Sequence, residues 1–203
     1  TKIEEYKSED GKSVITRYKA ERYFEITDNP MMYGKLDVER FSVGDIEIVL
    51  SVYSPTGRHS AKKIKETIFV MMQAQKAYLG DINSTKRYDI YIYLAGRNIG
   101  APTGFGALEH HRSTVVVMPE HMGYTSLEES LIDIISHEFF HILTPLSLHS
   151  EAVHYFNYND PEFSKHLWMY EGLTEYFSML FQINQGLLTE QDFYIRLSDK
   201  MEM

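Results

Sequence analysis

The sequence predicts an α+β fold, and three observations carry that reading. Apolar residues alternate with period two in several short segments, the pattern expected of strands with one buried face. Other segments place apolar residues on a 3.6-residue stripe, the pattern of amphipathic helices. The two kinds of segment are mixed without the regular strand–helix–strand order of a doubly wound sheet.

Taken in chain order, "SVITRYKAERYFEIT" (residues 13–27) is β-branched and aromatic and breaks at Asp28-Asn29-Pro30, so it reads as strand. In "GDIEIVLSVYSP" (44–55), Ile46, Ile48, Leu50 and Val52 share one face, and the run ends at Pro55. "SPTGRHS" follows as a polar loop that holds Arg58 and His59. From Ser60 the period changes. Ile64, Ile68, Met71, Met72, Tyr78 and Leu79 form a helical stripe that Gly80 terminates. "RYDIYIYLAG" (87–96) and "STVVVMP" (113–119) are strands, and the Gly-rich "RNIGAPTGFGALEHHR" between them reads as a loop leading into an edge strand.

Ser126 and Glu129 have the spacing of a capping box and are expected to open the next helix, with Leu131, Ile134, Ile135 and Ile142 as its stripe. Thr144 precedes Pro145, which disfavours further helix. "SLHSEAVHYFNYN" (147–159) reads as a loop carrying His149 and His154, and Asp160-Pro161-Glu162 as the start of a short helical turn. "HLWMYEGLTEYFSMLFQINQG" is a helix ending near Gly186, and Thr189 with Asp192 starts another. Trp168 and most of the tyrosines and phenylalanines are expected in the core.

Bulk composition excludes several function classes. The chain has 203 residues, 43% hydrophobic and 24% charged, enough apolar material for a real core. A net charge of −9 argues against nucleic acid as a partner. There is no cysteine, so thiolate metal sites, disulfides and cysteine nucleophiles are excluded. No apolar run reaches the roughly 20 residues a membrane span needs. The polar start "TKIEEYKSED" shows no signal peptide, and without an initiator Met the compartment stays open, a bacterial periplasmic or exported location included. Oligomeric state is likewise left open.

The chemistry is concentrated in "SHEFFHILTP" (136–145), in the last turns of a helix. Four residues along a helix turn through about 400°, so His137 and His141 project from one face, roughly 6 Å apart along the axis. Both imidazoles reach one zinc ion at about 2.0–2.1 Å. Glu138 lies roughly 100° round the helix, badly placed as a ligand and well placed to take a proton from a water at the metal. An H-E-x-x-H string also occurs by chance in unrelated helices; here the apolar flanks make unpaired polar groups costly. A third ligand is needed, and Glu171 in "WMYEGLTEYF" is the candidate, the alternative being a solvent-facing acid. Gly172 after it weakens the helix and would be explained by close packing on the histidine helix. Glu175, one turn on, is either a hydrogen-bond acceptor for the outer nitrogen of a ligand histidine or an ordinary surface acid.

"HEFFH" with "WMYEGLTEYF" resembles the gluzincins, zinc peptidases whose third ligand is a glutamate. "GFGALEHH" (104–111) is similar to the G-A-M-E-N motif of the aminopeptidase N family, and the three motifs together most closely resemble the glycyl aminopeptidase family. "DNPMMYGK" (28–35) is similar to the junction after that family's N-terminal β domain, so the resemblance runs from about Thr27 onward. It implies a thermolysin-like catalytic domain over 31–203, cut short at its C-terminus, with a mixed sheet and an edge strand, preceded at 1–30 by the remnant of a β domain. It implies one Zn²⁺ per chain held by His137, His141 and Glu171, with Glu138 as the base. Glu109 would anchor the free α-amine of a peptide substrate lying along Gly106, Ala107 and Leu108.

The implied activity is removal of a small N-terminal residue, Gly or Ala. Two departures stand out. His110 replaces the motif's Asn, so that role is not carried over. The family's oxyanion-stabilising tyrosine lies well downstream of the third ligand, beyond Met203, so this chain is expected to bind zinc with weak or no peptidase activity. A zinc endopeptidase with Glu109 as an incidental edge acid, and a non-catalytic peptide-binding fragment with a vestigial metal site, are the competing readings.

Overall fold

Eight consecutive residues form an interior strand of the sheet. Ile46, Ile48, Leu50 and Val52 are fully buried, and Val49 and Ser51 are nearly so, which buries strand β4 (Ile46–Tyr53) on both faces over most of its length. The structure is a computed structural model that describes residues 2–82, 85–97 and 104–201. The chain divides into two compact units, Thr1–Met31 and Met32–Met203.

The first unit holds an antiparallel hairpin, β1 (Lys2–Lys7) with β2 (Val14–Tyr18), and one helical turn, α1 (Phe24–Thr27). The continuous strand expected over 13–27 therefore stops at Tyr18. Asn29 Nδ2 donates to the Glu25 carbonyl at 2.7 Å and Thr27 Oγ1 to that of Phe24 at 3.2 Å, so local side-chain bonds close a turn in a segment with no buried face to pair.

In the second unit, β3 (Asp37–Val43) and β4 form a hairpin, and β4 runs parallel to β5 (Arg87–Ala95) after the crossover helix α2 (Ala61–Leu79). Strand β7 (Ser113–Pro119) is parallel to β5, and β6 (Gly106–His110) pairs antiparallel on its outer side. The sheet order is β3-β4-β5-β7-β6, a mixed sheet with β6 at one edge. Helices follow as α3 (Tyr124–Phe140), α4 (Glu151–His154), α5 (Leu167–Asn184) and α6 (Glu190–Met201). Helix α2 packs on β3 and β4, α3 on β6 and β7, and α5 on both of these helices. The core lies between these layers and includes Ile64, Ile68 and Met72 of α2, Ile90 and Ile92 of β5, Leu131, Ile135 and Phe139 of α3, and Phe181 of α5.

Helix α2 begins at Ser60, whose Oγ accepts from Lys63 N, and ends at Gly80 with φ 59°, a left-handed stop that suits glycine. Thr189 and Asp192 cap α6 reciprocally: the Asp192 N–H donates to Thr189 Oγ1 and the Thr189 N–H to Asp192 Oδ2.

Four expectations are corrected. Helix α3 starts two residues before Ser126, with Gly123 as its cap, because Tyr124 Oη donates to the Lys63 carbonyl and anchors the first turn on α2. Residues 151–154 form a short helix instead of loop, and no helix starts at Asp160. Trp168 is 74% exposed. His59 lies in the expected loop and is buried there, with Nε2 on the Glu120 carbonyl at 2.9 Å. Residues 98–103 of the expected Gly-rich loop lie outside the described residues. No helix among the described residues is long and apolar enough to cross a membrane.

Candidate metal centre and active site

His137 sits in the last turn of α3 and His141 is the residue that ends it. The turn tightens there: His141 N donates to the Glu138 carbonyl and Ile142 N to that of Phe139, both three residues back and both at 3.2 Å. Each imidazole is held by its outer nitrogen. His137 Nδ1 donates to Glu175 Oε2 at 2.7 Å, and His141 Nδ1 donates to the Thr144 carbonyl at 2.8 Å. Both Nε2 atoms are thereby turned toward the same point, 3.2 Å apart.

Glu171, in the second turn of α5, completes the cluster. Its Oε2 lies 3.2 Å from His137 Nε2 and 3.7 Å from His141 Nε2. A triangle with edges of 3.2, 3.2 and 3.7 Å has a circumradius of about 2.0 Å, and tetrahedral bonds of about 2.0–2.1 Å require edges of about 3.3–3.4 Å. The donor set of two neutral-capable imidazoles and one carboxylate, each histidine already fixed in the tautomer that frees Nε2, fits a zinc ion.

The electrostatics fit the same use. Burial disfavours charge on His137, but hydrogen bonds to Glu171 and Glu175 overcome it and raise its pKa to about 9. Glu175 falls to about 2, chiefly through its bond to His137 and, against the cost of burial, with Lys200 Nζ at 2.7 Å. Glu171 is lowered, first by its bond to His137. Glu138 moves the other way, to about 7: burial dominates, the positive His137 opposes it, and Glu109 and Glu171 add to it. A carboxylate poised near neutrality is what a general base needs.

Glu138 Oε2 lies 3.4 Å from the hydroxyl of Thr114, a fully buried residue on β7 whose Oγ1 is also 3.2 Å from the Leu108 carbonyl. Glu109 enters from β6. One ligand atom each of Glu109, Glu138 and His141 lies within 4.8 Å of the others, so the edge-strand carboxylate faces the histidine cluster. Gly106, Ala107 and Leu108 lie on the same edge strand, with Leu108 57% exposed. A cavity of about 430 Å³ opens against Ala107, His137 and Glu138 and reaches Glu175, Arg196 and Lys200.

The packing explanation of Gly172 fails: a Cβ there would meet nothing within 4 Å. His149 and His154 stay apart from the cluster and contact each other, Nε2 to Nδ1 at 3.0 Å. Sequence reasoning missed Gln75, Tyr88, Thr114 and Lys200. One signal was available: a buried tyrosine in an apolar strand needs a partner for its hydroxyl.

Residues 130–203 match the family model of the M61 glycyl aminopeptidases, a stretch that contains His137, Glu138, His141, Glu171 and Glu175. Among solved structures, an aminopeptidase N family protein from Idiomarina loihiensis aligns with a TM-score of 0.60 at 22% identity, over 79% of this chain and 27% of that one. The chain therefore spans 27% of the length of that structure, and the likeness is one of fold. No curated protein matches the sequence.

Proposed function

We propose that the protein is a zinc-dependent metallopeptidase with a thermolysin-like catalytic domain, acting as an aminopeptidase on peptides with a small N-terminal residue such as Gly or Ala. The observation that carries this is the convergence of His137 Nε2, His141 Nε2 and Glu171 Oε2 at zinc-like spacing beside a buried Glu138. The match of 130–203 to glycyl aminopeptidases supports the substrate class.

When bound, zinc supplies Lewis-acid polarisation of the scissile carbonyl and acidifies the attacking water. Glu138 accepts the proton of that water at a carboxylate oxygen and passes it to the nitrogen of the departing amine. Glu109 binds the substrate's α-ammonium, which limits cleavage to one residue from the end. The exposed edge at Gly106, Ala107 and Leu108 accepts the peptide backbone as an added strand. Glu175 holds His137 in the required tautomer.

Elemental analysis of the purified protein is expected to give one zinc per chain, lost in His137→Ala. Glu138→Gln should retain the metal and lose whatever hydrolysis the wild type shows. An N-acetylated peptide should be refused where the free peptide is cleaved; cleavage of both would make the protein an endopeptidase, and a wild type without zinc would end the proposal.

A further inference from the structure

Two polar side chains lie fully buried in the layer behind the histidines, and the catalytic scheme above uses neither. Gln75 of α2 is 0% exposed; its Nε2 donates to the Ser136 carbonyl at 2.8 Å, while its Oε1 has no hydrogen-bond partner among the described residues. Tyr88 of β5 is also 0% exposed, and its hydroxyl donates to the Glu138 carbonyl at 3.1 Å. Burial, with Glu138 and Glu109 nearby, raises the Tyr88 phenol well above its ordinary value and keeps it a donor.

The two carbonyls are not arbitrary ones. The Ser136 carbonyl belongs to the peptide group that carries the backbone nitrogen of His137. The Glu138 carbonyl is the acceptor for the backbone N–H of His141. One peptide plane of His137, and the carbonyl that accepts the His141 N–H, are thus gripped from outside the helix, at its tightened last turn. An apolar side chain of the same size at position 75 would fill the space without leaving a buried carbonyl oxygen unsatisfied, which is destabilising. Packing alone therefore does not account for Gln75.

We infer that Gln75 and Tyr88 are positioning residues: they hold the backbone of the last turn of α3 so that the His137 and His141 rings stay at metal-binding separation. The inference rests on the zinc site proposed above. It deepens that reading by assigning the accuracy of the site to α2 and β5, outside the elements that carry the ligands.

The test separates positioning from stability. Gln75→Met and Tyr88→Phe are made in the 203-residue chain, and each is measured three ways: Tm without metal, zinc affinity by chelator competition, and the visible spectrum of the Co²⁺ form. Gln75→Met removes the unsatisfied oxygen, so its metal-free Tm should equal or exceed that of the wild type. Its zinc Kd should nevertheless rise about tenfold or more, the range seen when groups that orient metal ligands are removed. Tyr88→Phe keeps the ring and should raise Kd by a similar factor, with a shifted cobalt spectrum in both variants. Zinc affinities within twofold of wild type with an unchanged cobalt spectrum would overturn the inference. So would a loss of affinity that only follows a loss of Tm. A wild type that binds no zinc would instead overturn the proposed function on which this rests.

Discussion

Replacing Glu175 with Gln tests the support beneath the candidate metal site. The carboxylate accepts from His137 Nδ1 at 2.7 Å and from Lys200 Nζ at 2.7 Å, with its side chain 30% exposed. Its pKa, lowered from 4.5 to about 2 first by the His137 bond, corresponds to about 3.5 kcal/mol of preference for the charged form at about 1.4 kcal/mol per pH unit. Lys200 shares in that preference and solvent screens part of it, which leaves about 1.5–2.5 kcal/mol for the hold on His137. Removing a group that orients a ligand histidine weakens metal affinity about 10- to 100-fold. Gln keeps the size and one acceptor oxygen but not the charge. Zinc competition against a chromophoric chelator at pH 7.5 should therefore show Kd for Glu175→Gln raised about 10- to 100-fold, with little change in Tm. A Kd within twofold of wild type would mean that the ring is oriented by something else.

Three further outcomes follow from the geometry. Glu109→Gln should weaken calorimetric binding of a free-amine dipeptide by about tenfold or more while leaving an N-acetylated analogue within about twofold, because only the ammonium loses its counter-charge. Glu120 is pushed up by burial, but donors from Ser54 Oγ and from Thr56 N–H and Oγ1 win and hold its pKa below 4.5. A depressed folded value gives stability that is complete above the ordinary value and lost as pH falls through the folded one. The Tm advantage of wild type over Glu120→Gln should thus shrink as pH falls below the ordinary value of 4.5. Phe139→Ala removes a fully buried ring set edge-on to Tyr88 at 5.1 Å and should cost about 3–5 kcal/mol in urea denaturation.

What could be read from the sequence was what periodicity encodes. The stripe of α2 and the one face of β4 that Ile46, Ile48, Leu50 and Val52 share were visible because burial dictates them residue by residue. Strand β3 was not: "DVERFSV" places Asp37, Glu39 and Arg40 in a strand defined by its pairing with β4, and Arg40 and Glu39 find partners in Glu47 and Lys65. The start of α3 was misplaced because a contact from Tyr124 to α2, invisible to local pattern, overrides the Ser126 cap signal. At the site, the spacing of His137, His141 and Glu138 follows from one helix, and Glu171 from the need for one more ligand. Gln75, Tyr88 and Thr114 reach α3 across separations of 61, 50 and 24 residues, and no local rule announces such partners.

The three donor atoms come from α3, its terminal residue and α5, with His141 and Glu171 30 positions apart, and they meet only where those helices cross. The unfolded chain offers no such meeting point, so an ion held there stitches two separate lengths of polypeptide and adds its grip to the folded state alone. Occupancy of the cluster is then a gauge of tertiary integrity. A lesion far from the histidines that lets α5 drift by an ångström would be recorded first as a lost ion, before any melting of helix or sheet.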